Sequence, residues 1–208
     1  MSGATRRTGR DAILERIRRA AGEMPGADPI GDPRAHVTAP RQTAPIPEIA
    51  TGDGDTRIAR FVDRARAADA TVSEIEGPDA LPLALAEELR ARNLPAAIRT
   101  GTDPAFARDL GAIEHSMGPG RIEEPATLSR AEMAVAETGT LVLASGSANP
   151  VTLTFLGETH FVLLAVSDIR AGLEEMWADW RARGLDPRTV NLATGPSRSA
   201  DIGQTLQL

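Results

Sequence analysis

Met133-Ala-Val-Ala-Glu137-Thr138-Gly139-Thr140-Leu-Val-Leu-Ala144 is the stretch on which the fold turns. Two apolar runs stand on either side of a glycine, each too short for a helix, and the glycine supplies the positive φ that a sharp turn needs. The pattern predicts two strands joined at Gly139. That arrangement carries Glu137 and two hydroxyls at a strand end, where open α/β sheets present ligand sites. The alternative is a plain hairpin turn with an exposed glutamate.

Downstream, His160–Val166 reads as a strand and Asp168–Arg183 as an amphipathic helix. Ile169, Leu173, Met176, Trp177 and Trp180 fall on the inner face of that helix, as core or as an oligomer contact. Asp168 has N-cap chemistry and Gly184 fits the position after the C-cap. Thr189–Leu192 and Thr205–Leu208 read as final short strands. Upstream, Arg57–Ala68 presents Ile58, Phe61, Val62 and Ala65 at helical spacing, followed by a strand candidate at Ala70–Ile75. Pro78 suits the first turn of a helix that Leu81, Leu85 and Leu89 stripe as far as Arg92. Then come a strand at Pro95–Arg99, a helical piece at Asp103–Leu110, a strand at Gly111–Glu114 and a glycine- and proline-rich stretch at Met117–Pro125. Such alternation argues for a three-layer α/β domain, a mainly parallel sheet flanked by helices, over residues 57–208. Residues 1–56 stand apart: a helix at Asp11–Ala21 carries Ile13, Leu14, Ile17 and Ala21 at helical spacing. The proline-spaced segment Gly22–Asp55 after it reads as an extended arm or linker.

Composition closes off several chemistries. The 208 residues contain no cysteine, no lysine and no tyrosine, and all 23 cationic side chains are arginine. Without cysteine there is no iron–sulfur ligation and no thiolate nucleophile. Without lysine there is no Schiff base and no P-loop cation. Carboxylate, hydroxyl, imidazole and arginine remain. A net charge of −6 and 3% aromatics argue against a general nucleic-acid binder. No apolar run approaches the roughly 20 residues that span a bilayer, and the three arginines of Met1–Arg10 are not followed by a signal-peptide core. A cytoplasmic location is the expectation.

Two further loops carry polar chemistry. Thr194-Gly195-Pro196-Ser197-Arg198-Ser199-Ala200-Asp201 follows a strand, and its backbone N–H groups, hydroxyls and guanidinium suit a phosphate or carboxylate. It has neither the lysine nor the glycine spacing of a nucleotide loop, and a polar turn is the alternative. Ser145-Gly-Ser-Ala-Asn149-Pro150 follows the Glu137 hairpin, where it lines the same pocket or simply connects. His36, His115 and His160 show no metal-ligand spacing, so no metal site is expected.

Glu137-Thr-Gly-Thr-Leu-Val-Leu, His160-Phe-Val-Leu-Leu-Ala-Val and Thr194-Gly-Pro-Ser-Arg-Ser-Ala-Asp-Ile occur in this order and spacing in one family. From Arg57 to the C-terminus the chain resembles the lactate utilization protein C (LutC/YkgG) family of LUD-domain proteins. The resemblance implies a fold like that of the NagB, ribose-5-phosphate isomerase (RpiA) and CoA-transferase superfamily. It also implies service in a bacterial three-component system that oxidises L-lactate to pyruvate, beside iron–sulfur lactate utilization subunits. This chain would itself hold no cofactor, the clusters residing in the partners. Family members run on past the Ala200-Asp201-Ile202 segment through a Gly-Val-His-Gly-Pro-like stretch and one more strand. The resemblance thus implies a C-terminal end cut short at Leu208.

The expected function is therefore a non-redox component of lactate oxidation that binds a small carboxylate- or phosphate-bearing ligand. Glu137 is the candidate general base or structural acceptor. Thr138, Gly139, Thr140, Ser145, Gly195, Ser197, Arg198, Ser199 and Asp201 are the candidate ligand-binding residues. Two alternatives remain: a stand-alone enzyme of acyl/CoA-transferase or sugar-phosphate type using the Glu137 carboxylate, and a scaffold whose arm wraps a partner. A homo-oligomer is left open.

Overall fold

The computed structural model describes residues 9–22, 45–52 and 54–195. The predicted strand at Thr205–Leu208 lies outside them, as does most of the arm. The chain divides into two compact units, Met1–Pro45 and Ile46–Leu208. In the first, α1 spans Gly9–Gly22 and leaves Ile13 and Ile17 exposed.

Among the described residues, the second unit is built on two four-stranded sheets. Four parallel strands make the first, in the order β2-β1-β3-β6: β1 Ala97–Thr100, β2 Glu114–Met117, β3 Ala126–Arg130 and β6 Thr159–Leu163. The second sheet runs β7-β4-β5-β8, with β4 Met133–Val135, β5 Thr140–Ala144, β7 Ile169–Arg170 and β8 Val190–Ala193. Here β4 and β7 are parallel, while β5 lies antiparallel to both of its neighbours. Chain segments cross between the sheets in pairs. β3 leads through Ala131 and Glu132 into β4, and β6 leads into β7 alongside it. The Ala131 N–H donates to the Leu163 carbonyl where the sheets meet.

Helices cover these sheets on alternate sides. α2 (Gly54–Ala67) places Phe61 and Ala65 on Ala134, Ala136 and Ile169. α5 (Leu173–Ala182) places Met176 and Trp180 on Met133, Val135 and Val142. Odd and even residues of β4 thus serve opposite helices, as the two-residue strand period requires. α3 (Leu81–Ala91) packs Leu81, Leu85 and Leu89 against Ile98, Leu128 and the fully buried Phe106. The short α4 (Val151–Leu156) lies across β3, where the Thr127 hydroxyl donates to the Leu153 carbonyl. This is the mainly parallel, helix-flanked α/β architecture expected.

Several local expectations are corrected. Ala70–Ile75 forms no strand and pairs with none among the described residues. The helical piece at Asp103–Leu110 shrinks to the 3-10 turn Pro104–Phe106. The strand expected at Gly111–Glu114 begins only at Glu114. Asp168 is not the N-cap of the last helix, because Ile169–Arg170 is spent as β7 and the helix starts at Leu173 behind Gly172. Gly184 does follow the C-cap with φ +63°. β3 and α4 carry no clear sequence signal. β3 has small polar residues buried on both faces, and α4 is too short for a stripe.

Candidate functional site

The β4–β5 hairpin forms as the sequence predicts, with Met133 opposite Val142 and Val135 opposite Thr140. Gly139 has φ +70°, and a Cβ there would stand 2.5 Å from the Ala65 backbone nitrogen in α2. Only glycine fits, for conformation and for space. Thr138 is exposed at the tip and shares a 2.6 Å hydroxyl hydrogen bond with the buried Thr140.

Thr140 in turn shares a 2.5 Å hydrogen bond with the Thr194 hydroxyl. The cause is register: β8 runs antiparallel to β5 with Ala193 opposite Leu141, so the chain leaves β8 beside the hairpin turn. Gly195 follows at φ +70°, and a Cβ there would stand 2.1 Å from the Ala68 carbonyl oxygen. Gly139 and Gly195 thus rest on the same C-terminal end of α2, Arg64–Ala68. The structure brings Thr138, Gly139, Thr140 and Gly195 together. Ser197, Arg198, Ser199 and Asp201 lie outside the described residues.

Glu137 is half-buried at the hairpin's entrance. Its Oε1 accepts the Leu173 N–H at 2.9 Å, and its own N–H donates to the Ala171 carbonyl at 3.1 Å. The N-cap residue Gly172 has no side chain to offer and packs its backbone on Ala50. Glu137 therefore supplies from another strand the acceptor that the first turn of α5 lacks, with its negative charge at the positive end of the helix dipole.

Ser145 sits at the far end of β5, roughly 17 Å along the strand from Thr140. Its hydroxyl accepts the Thr189 N–H at 2.8 Å, and the structure does not bring it into the threonine cluster. The loop that it opens lies instead over β1: Thr102 N–H donates to Ser147 O, and a Cβ on Gly101 would stand 2.0 Å from Ala148 O.

Further polar pairs, which the sequence analysis missed, lie along the parallel strands, with Asp103 and Arg130 at the carboxyl ends of β1 and β3. From β1 the chain passes to β2 on one side and β3 lies on the other, so β1 and β3 flank the switch point where α/β sheets open a crevice. Asp103, 6% exposed, accepts there from Ala105 N–H and from Arg130 Nε, each at 2.8 Å. That carboxylate raises the Arg130 pKa above its ordinary value. Thr100 bonds His115 at 2.8 Å, and burial lowers the His115 pKa. Ser129 bonds His160 at 3.0 Å, and burial pushes the His160 imidazole down to about 4. The signal available was Thr100-Gly-Thr-Asp103 after a strand, but a helical reading of Asp103–Leu110 hid it. Among the described residues no cluster of three or more carboxylates or imidazoles is arranged to hold a metal ion.

Parallel strands, helices on both sheet faces and a glycine-turned hairpin beside the last strand define a helix-flanked α/β protein. In fold it is similar to a DUF162 family protein from Deinococcus radiodurans, with TM-score 0.57 and 21% identity, over 67% of this chain and 87% of that one. Residues 125–208, which hold the hairpin and the Gly195 loop, match the LUD domain family. This match supports the likeness to lactate utilization protein C read from the motifs. The chain is 37% identical over 79 residues to "Lactate utilization protein C" of Geobacillus sp. (strain WCH70), a match covering 36% of this chain. The matched segment spans 33% of that relative's length.

Proposed function

We propose that this chain is the non-redox component of a lactate utilization system and binds a small carboxylate- or phosphate-bearing ligand at the corner where the β4–β5 hairpin meets the end of β8. The observation that carries the reading is the hydroxyl chain Thr138–Thr140–Thr194, which joins the two motif-bearing segments at one point. Ser197, Arg198 and Ser199 follow directly in sequence and supply the cation and donors that such a ligand needs, with Asp201 as an acceptor. The name of the relative supports the metabolic setting, and the lack of cysteine in these 208 residues supports a reading in which iron–sulfur partner subunits carry the electrons.

Glu137 acts in this reading as a structural acceptor, because one carboxylate oxygen is engaged at the α5 N-terminus. The test is lactate oxidation by the reconstituted system with Arg198→Ala and Glu137→Gln, together with calorimetric titration of lactate, pyruvate and phosphate into the isolated chain. Loss of oxidation and of anion binding in Arg198→Ala is expected. Wild-type behaviour in both variants removes the site. A hydroxylamine-sensitive acyl adduct on Glu137 would establish the transferase alternative instead.

A further inference from the structure

On the far side of α3 from its buried leucines lies a groove of about 280 Å³ that the proposed ligand site does not use. One wall is the segment Ser73–Glu76, which belongs to no helix or strand, and the other is the α3 flank carrying Leu83 and Glu87. Leu83 is 66% exposed in this groove. The backbone N–H and C=O groups of Ser73–Glu76 make no hydrogen bond among the described residues, so this stretch of main chain stands unpaired. Its charge is one-sided. Glu74, Glu76, Glu87 and Glu88 line it, and among the described residues only Glu88 has a cation beside it, Arg92 at 3.4 Å.

An unpaired stretch of main chain, an apolar anchor point and uncompensated carboxylates together specify an occupant. We propose that this groove takes an extended, arginine- or lysine-bearing segment of a partner subunit, added as a strand along Ser73–Glu76. Main-chain hydrogen bonds would satisfy the unpaired groups, one apolar side chain would cover Leu83, and alternate cationic side chains would meet Glu74, Glu76 and Glu87. Charge complementarity selects a basic segment over an acidic one and over a second copy of this segment, which would set like charges against each other.

The inference rests on the multi-subunit reading above. Its test is co-expression of the full chain with the iron–sulfur subunits, with complex formation followed by native mass spectrometry and light scattering. Wild type, the double variant Glu76→Lys/Glu87→Lys and the single variant Leu83→Ser are compared. All three sites are exposed, and circular dichroism checks that the fold survives. Expected are a complex with wild type, at least about tenfold weaker association for the double variant, and clear weakening of wild-type association at about 0.5 M salt. Unchanged association of both folded variants overturns the groove while leaving the subunit reading intact. No association even with wild type overturns both. A wild-type homodimer that the double variant abolishes assigns the groove to a second copy and overturns the partner proposal.

Discussion

Thr140 and Thr194 share a hydroxyl hydrogen bond of 2.5 Å, which ties the strand leaving the hairpin turn to the end of the last described strand. Thr140 is buried and also bonds Thr138. Thr140→Val keeps the shape but withdraws both bonds, leaving the Thr194 hydroxyl without that partner. Unfolding stability should drop by about 1–2 kcal/mol, and any anion affinity measured by calorimetry should fall with it. Unchanged affinity would detach the threonine cluster from the ligand.

Gly139→Ala tests the contact between hairpin and α2. The substitution sets a Cβ at 2.5 Å from backbone that cannot swing away, and at φ +70°. A loss of about 2–4 kcal/mol in urea denaturation is expected. An effect below about 0.5 kcal/mol would mean that α2 does not press on the turn.

Glu137 separates a capping role from a catalytic one. Glu137→Gln keeps an acceptor for the Leu173 N–H and should cost little stability, whereas Glu137→Ala should cost about 0.5–2 kcal/mol. Denaturation of both variants beside their oxidation rates makes the distinction. A stable but inactive Glu137→Gln would give the carboxylate chemical work beyond the cap.

Asp103 is nearly buried and accepts from both Ala105 N–H and Arg130 Nε. Asp103→Ala removes the partner of a charged donor and frees the turn after β1. A cost of about 1.5–3 kcal/mol follows, read by thermal or chemical denaturation.

Stability should fall in acid through His160. Burial lowers its folded-state pKa to about 4, against an unfolded value near 6.5. The unfolded chain binds the proton first, so this contribution is complete above about pH 6.5, declines as the pH falls and levels off below about pH 4. The loss amounts to about 3 kcal/mol. His160→Gln should flatten that part of the stability–pH curve, and an unaltered slope would place the titrating group elsewhere.

Much of this was legible residue by residue. The hairpin was readable because Gly139 stands between two apolar runs, and the α2, α3 and α5 faces because their buried residues recur at helical spacing. β3 was not, since Ala126–Ser129 is buried on both faces and shows no alternation. The start of α5 was misplaced because Asp168 looks like a cap locally. In the fold Asp168 pairs with Arg183 at 2.7 Å, and Glu137 takes the capping role from a distant strand.

The amino-acid sequence by itself determined the chemistry these 208 residues are denied, the helix-flanked α/β class and the likeness of residues 125–208 to the LUD domain, because composition, periodicity and motif spacing are local and countable. Only the tertiary structure decided that the hairpin and the end of β8 meet on one helix end, that Glu137 caps α5, and that Asp103 and Arg130 pair at the switch point. Those are contacts between residues far apart in the chain, made by strand register and by backbone approach at Gly139 and Gly195, and no local pattern encodes them.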